Sequence, residues 1–451
     1  MSHDSNPYIL SPGNVLDPPT RFRDRLKHIG PGFILSASIV GSGELIATTT
    51  LGAKAGFVTL WIILLSCLVK VALQIEFGKH CILYGETAIA SFNRLPGKRF
   101  GKGHWSVWTV LILMIIKFTQ LGGIVGGVAI AANIFLPQLS VTIWALIVAV
   151  SVALLVYKGY YTLIEKMSII MIGLFTLLTF VSLYYLQFTG YALEFTDIQS
   201  GFGFNLPTAA IAIAIGAFGI TGVGGDEIIH YTYWCMEKGY AQYTGKNDGS
   251  ESWKRRAKGW IQVMHLDAIM AMIVYTIMTG AFYVLGAAVL HESGNVPKGY
   301  AMLETLSIIY TETLGQGAKS IFLGGAVIVL FSTLFSALAA WTRQYADMLS
   351  QIGIIDFKNQ KERLKTIKFL SFFLPAGWLL LFLFVKLPVA MVIFGGIITS
   401  IILLLIIYVA LQYRLKQTPV SFKPTIVYDV VLAISILSIL AIAMYGIIKL
   451  L

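Results

Sequence analysis

The chain has 451 residues, 57% of them hydrophobic and only 12% charged, with a net charge of +11 and a mean hydropathy of +0.78. Apolar runs of roughly 20 residues, each enough to cross about 30 Å of hydrocarbon, recur along its length, which excludes a soluble protein and predicts an all-α polytopic membrane protein. The positive balance would suggest nucleic acid in a soluble chain; here it reads as basic loops on one membrane side, with the bilayer as partner and no nucleic acid.

In chain order, residues 1–28 are polar and lack a short apolar core with a small-residue cleavage site, so they read as a cytoplasmic tail and not as a removable signal. Eleven apolar spans come next, near 30–53, 57–79, 107–135, 140–157, 163–187, 207–235, 260–290, 319–350, 367–385, 388–412 and 426–449. One set of connecting segments carries Arg21, Arg23, Arg25 and Lys27, then Lys79, Arg94, Lys98, Arg99 and Lys102, then Lys158, Lys254 to Lys258, Lys358 to Lys365, and Arg414 with Lys416. The alternate segments are poor in such residues: 188–206 has no Lys or Arg and 291–318 has one. This alternation predicts an N-terminus inside and a C-terminus outside a cell membrane, of the bacterial inner-membrane kind.

Three spans are unsuited to simple anchoring. Span 1 carries Val40-Gly41-Ser42-Gly43-Glu44-Leu45 at its middle, span 3 carries Gln120-Leu121-Gly122-Gly123 and Gly126-Gly127, and span 6 carries Ile220-Thr221-Gly222-Val223-Gly224-Gly225-Asp226-Glu227 and then His230. Glycine next to a carboxylate at membrane depth, in the first and sixth of eleven spans, points to paired broken helices in a five-plus-five inverted repeat, the arrangement that places a transporter's binding site at the midplane. The units would be 29–187, 188–412 and an additional loop and helix, 413–451. A break frees carbonyls for a cation and N–H groups for an anion, and glycine lets a ligand approach the backbone. The span 3 glycines read instead as close helix packing.

Lys70 and Glu76 on span 2, and Asp267 on span 7, read as intramembrane pairs or interface groups. Cys67, Cys81 and Cys235 read as free thiols. Tyr300, Leu303, Leu306, Ile309 and Tyr310 recur at helical spacing and predict an amphipathic helix on the outer surface. No GxxxxGK[ST], HExxH or CxxC occurs, so the reading excludes an ATP-driven pump or an enzyme, and no cofactor is expected.

Gly30-Pro31-Gly32-Phe33, the segment Val40 to Leu45, and Leu51-Gly52-Ala53-Lys54-Ala55-Gly56 together resemble the first helix of the Nramp family of proton-coupled divalent-metal transporters. The similarity continues at Gly85-Glu86-Thr87, in span 6 and in the approach to Asp267. It implies a five-plus-five inverted repeat with an additional C-terminal helix. The family's helix 1 motif, DPGN, falls on Gly41 to Glu44 here, with Ser42 in place of the proline. Its helix 6 motif, MPHN, falls on Val223 to Asp226, and its two acidic helix 3 positions fall on Gln120 and Gly123. Every family residue with direct substrate or proton chemistry is therefore changed.

Two substrate classes fit. A hard divalent cation, Mg²⁺ or Mn²⁺, would use Glu44 and Asp226 as metal ligands with oxygens freed around Gly41, Ser42, Gly43, Ile220, Thr221 and Val223. Without the family's methionine sulfur, Fe²⁺ and Cd²⁺ should be carried poorly. A small anion or carboxylate, such as bicarbonate or an amino acid, would instead sit on backbone N–H groups, with Na⁺ or H⁺ as the driving ion. The resemblance implies Ser332, Thr333 and Ser336 on span 8 as a Na⁺ position and His230 as a proton relay; ordinary helix packing fits these residues as well. With Gln120 and Gly123 unable to carry protons, metal-linked acidification is not expected.

Overall fold

The computed structural model describes residues 6–158, 161–423 and 425–450. The side chains of Ser42, Lys158 and Tyr300 lie outside what is described. Helices occupy all eleven expected spans; eight helical segments among the described residues are long and apolar enough to cross a membrane, the first of them fusing spans 1 and 2.

Span 1 was expected to break at its glycines, and it does not. It runs as Pro31–Ile39, then a π-helical stretch Val40–Thr48, then Thr49–Ala55, without interruption. The wider winding accommodates Gly41 and Gly43, and carbonyls displaced from ideal helical pairing are taken up locally. Thr48 Oγ1 donates to the Gly43 carbonyl at 2.9 Å and Thr49 Oγ1 to that of Glu44 at 3.1 Å. Such stretches are rare and recur at functional positions.

Span 6 is broken as expected. Ile211–Ile220 ends at an extended Thr221, Gly222 turns at φ +63°, and Gly225–Lys238 starts anew with Asp226 and Glu227 in its first turn, where the helix dipole favours negative charge. A Cβ on Gly222 would meet Cys67 Cα of span 2 at 2.9 Å, so both its backbone angle and its neighbour require glycine.

Span 1 is enclosed by spans 6, 7 and 8, and span 2 packs on spans 6, 7 and 11. Span 3 lies against spans 4, 8, 9 and 10. Its glycines serve that packing: a Cβ on Gly122 would approach the Trp378 carbonyl to 2.8 Å, and one on Gly126 would run into the Phe382 ring. The N-terminus of span 1 is held from outside its own chain segment. Asp267 of span 7 accepts the backbone N–H groups of Gly30 and Gly32, each at 2.7 Å, and the Tyr231 hydroxyl of span 6 at 3.0 Å. Asp267 is thus a cap for span 1.

The segment Met302–Leu314 is a helix, but its apolar face is covered by protein: Leu303, Leu306, Ile309 and Tyr310 are buried against spans 5, 7 and 8. The tail is equally engaged. Buried Tyr8 donates to Glu237 at 2.6 Å, and Glu237 is held by both Nε and Nη2 of Arg343. Burial, then the Glu237 carboxylate, push the Tyr8 phenol far above its usual value.

Candidate functional site

Where the widened part of span 1 meets the break in span 6, Gly43 lies against the Ile220 carbonyl; a Cβ there would approach that oxygen to 2.8 Å. Gly41 donates its N–H to Thr333 Oγ1 of span 8 at 3.2 Å, and Thr333 donates to the Ala37 carbonyl at 3.3 Å. Next to this junction Glu44 is fully buried. Its Oε1 accepts from Thr279 Oγ1 of span 7 at 2.6 Å, and among the described residues its Oε2 has no hydrogen-bond partner. An unmatched carboxylate oxygen at membrane depth costs several kcal/mol.

Asp226, expected to face Glu44 as a second ligand, has another partner. Its Oδ1 is ion-paired with Lys117 of span 3, both side chains being buried. One helical turn on, His230 Nε2 meets Gln344 Oε1 of span 8 at 2.6 Å. Of the span 2 charges expected in intramembrane pairs or near an interface, Glu76 is in a pair and, among the described residues, Lys70 is not. Glu76 pairs with Lys79 at 2.6 Å, while Lys70 reaches across to the end of the first half of span 6 and donates to the carbonyls of Phe218 at 2.7 Å and Thr221 at 2.5 Å. Ser66 supports the same two carbonyls at 2.9 and 3.0 Å and accepts from Thr221 Oγ1 at 2.9 Å.

The remaining sequence-predicted residues divide between the two sides. Ile220, Thr221 and Val223 are buried at the break, and Gln120 is buried against Gly395 of span 10. Ser332 bonds within its own helix, to the Val329 carbonyl at 2.8 Å, and Ser336 is buried one turn further along. Among the described residues no three His, Cys, Asp or Glu side chains converge on a common point, so a cation here would rely on Glu44 with backbone and hydroxyl oxygens.

Sequence reasoning missed Lys117, Thr279, Gln344 and the placement of Cys67. The Cys67 thiol lies within hydrogen-bonding reach of Thr279, the hydroxyl that serves Glu44, so a sulfur does stand near the carboxylate. Lys117 alone left a signal, being a single lysine inside an otherwise uncharged apolar run; that pattern calls for a buried counter-ion.

A buried, partly unmatched carboxylate where a widened helix meets a discontinuous one, deep within a multi-pass helical bundle, defines a membrane carrier. Residues 32–449 match the Nramp family, described as natural resistance-associated macrophage protein-like, and the chain belongs to that family of transporters. The divalent metal cation transporter MntH of Brucella suis is 25% identical over 350 residues, which is 75% of this chain and 69% of that protein. An uncharacterized protein of Pasteurella multocida is 25% identical over 334 residues, 72% of this chain and 71% of that one. In fold the chain resembles a manganese transporter of Eremococcus coleocola, with TM-score 0.56, 15% identity, and 98% and 99% of the two chains covered. It also resembles Mhp1, a nucleobase-cation-symport-1 family transporter, with TM-score 0.59, 15% identity, and 98% and 93% covered.

Proposed function

We propose that the protein is a secondary transporter that carries a hard divalent cation, Mg²⁺ or Mn²⁺, across the cell membrane by alternating access, without enzymatic chemistry. The observation that carries this reading is Glu44: a buried carboxylate with one oxygen bonded to Thr279 and the other unmatched among the described residues, beside the interrupted span 6. Oxygen-dominated ligation suits Mg²⁺ and Mn²⁺. The divalent metal activity named for the MntH relatives supports the cation class.

The substrate enters between spans 1, 6, 7 and 8 and meets the Glu44 carboxylate, with the Thr279 hydroxyl as orienting group. Asp226 acts from a distance, through its pair with Lys117, by shaping the start of the second half of span 6. Proton transport is not part of the cycle, because Gln120 and Gly123 offer no exchangeable charge at neutral pH.

The test is uptake into proteoliposomes of Mn²⁺ and Mg²⁺, each with a pH dye in the lumen, and of bicarbonate as the anion control. Metal uptake without acidification, lost in Glu44→Gln with the protein still monodisperse, is expected. Bicarbonate uptake with no metal uptake would sink the cation reading.

A further inference from the structure

Lys70 is fully buried at the centre of span 2. Among the described residues its ammonium has no carboxylate within salt-bridge distance; it is held by backbone oxygens, Phe218 at 2.7 Å, Thr221 at 2.5 Å and Gly219 at 3.5 Å, and it stands 5.2 Å from the centre of the Phe218 ring. These carbonyls belong to the end of a half-helix, where the helix dipole is negative and the break in span 6 leaves oxygens without N–H partners. Carbonyls in that position, beside a buried carboxylate, are what a bound cation would use in a transporter with a discontinuous helix.

The occupant is therefore a cation already, one attached to the chain. Its charge acts on Glu44 and Glu227 as well as on the carbonyls. Asp226 and Glu227 stand in the first turn of the second half of span 6, where Lys117 pairs with Asp226 and leaves Lys70 to the carbonyls. A lysine is suited to such a role because its compact charge rides on a flexible four-carbon stem and can withdraw without unfolding the helix that carries it.

We propose that Lys70 is a specificity-determining residue: a tethered cation that holds the carbonyl end of the first half of span 6 and competes with the transported ion for those oxygens. The inference rests on the divalent-cation reading and adds what sets the affinity. An ion arriving at Glu44 must displace the Lys70 ammonium from Phe218 and Thr221 to complete its oxygen shell, so binding is weakened by the competition. When the ion leaves, Lys70 returns to the same carbonyls and the break is again capped by a positive charge. The emptied carrier then needs no second ion from solution to satisfy that position.

The experiment compares wild type with Lys70→Met in the purified full-length protein, by calorimetric titration with Mn²⁺ and Mg²⁺ and by uptake of the same ions into proteoliposomes. The proposal predicts that Lys70→Met binds the ion at least ten-fold more tightly than wild type, with a lower KM and a lower kcat, and that adding Glu44→Gln removes the gain. A lysine with a merely structural role would lower stability and leave the Kd unchanged. Should Lys70→Met fail to fold, Lys70→Gln keeps an N–H donor for the carbonyls while removing the charge, and the same tightening is expected. Wild-type binding with an equal or weaker Kd in the folded variant overturns this inference and leaves the transport reading intact. Absence of divalent-ion binding and uptake in both proteins overturns the transport reading and this inference with it.

Discussion

Asp226 and Lys117 show how a single partner changes the meaning of a side chain. As an isolated carboxylate Asp226 would be a ligand; paired with a buried lysine it is half of an ion pair that neither member can leave cheaply. Removing one partner of such a pair costs about 3–5 kcal/mol, because the other charge stays buried without compensation. Asp226→Asn is therefore expected to lower the melting temperature sharply in a detergent thermal-shift assay. Combining it with Lys117→Met should restore most of that loss, giving a coupling energy of about 2 kcal/mol or more in the double-mutant cycle. Additive losses would show that the two groups do not depend on one another. Glu44 should behave oppositely: Glu44→Gln retains the shape and the Thr279 contact, so stability is kept while transport is lost.

Spans 1 and 6 were both expected to be interrupted, and only span 6 is. The difference lies in the side chains on the C-terminal side of the glycines. In span 1 the threonines at 48, 49 and 50 each return a hydroxyl to a carbonyl four or five residues earlier, which keeps a wide helix satisfied. In span 6 the Thr221 hydroxyl turns to Ser66 instead, and the terminal carbonyls are satisfied by Ser66 and Lys70 from span 2. The two elements touch through Gly43 and the Ile220 carbonyl, at a separation that leaves no room for a methyl group. Gly43→Ala must therefore push span 1 away from the break, at a cost of roughly 1–3 kcal/mol for an overpacked contact. The expected outcome is a folded protein whose uptake falls at least ten-fold. Unchanged uptake would mean that this contact has no part in the site.

Across the whole molecule, the bundle buries spans 1 and 6 behind their neighbours, while spans 9 and 11 turn apolar side chains such as Phe369, Phe373, Phe384 and Ile434 outward, as lipid-facing helices do. We infer from the basic segments that the loop at Asp248 is inside and that at Gly190 outside, both positions being exposed. The three native cysteines are buried and unpaired, so introduced ones can be read against a low background. An impermeant maleimide applied to right-side-out vesicles should label Gly190→Cys and leave Asp248→Cys untouched until the membrane is permeabilised. The reverse pattern would invert the topology.

The eleven spans, the interruption in span 6 and a carboxylate at membrane depth at position 44 could be read from residues alone, because each is a local property. Hydropathy over about 20 residues marks a helix that lipid will accept, and a carboxylate with glycines inside such a run is costly wherever the run is placed. The continuity of span 1 is local too, resting on three threonines that bond carbonyls four or five residues earlier, but hydropathy and glycine placement do not report it. The choice of partners was decided only by tertiary structure. Lys70 and Glu76 lie on one helix and both read as members of intramembrane pairs, yet among the described residues Lys70 turns to the carbonyls of span 6 and only Glu76 finds an ion-pair partner, Lys79. Asp226 lies 182 positions from Glu44 and 109 from Lys117 in the chain, and nothing in that spacing says which it will meet. A buried charge must be compensated, so the sequence determines that each of these residues has a partner; the packing of spans 2, 3 and 6 against one another determines which partner it is.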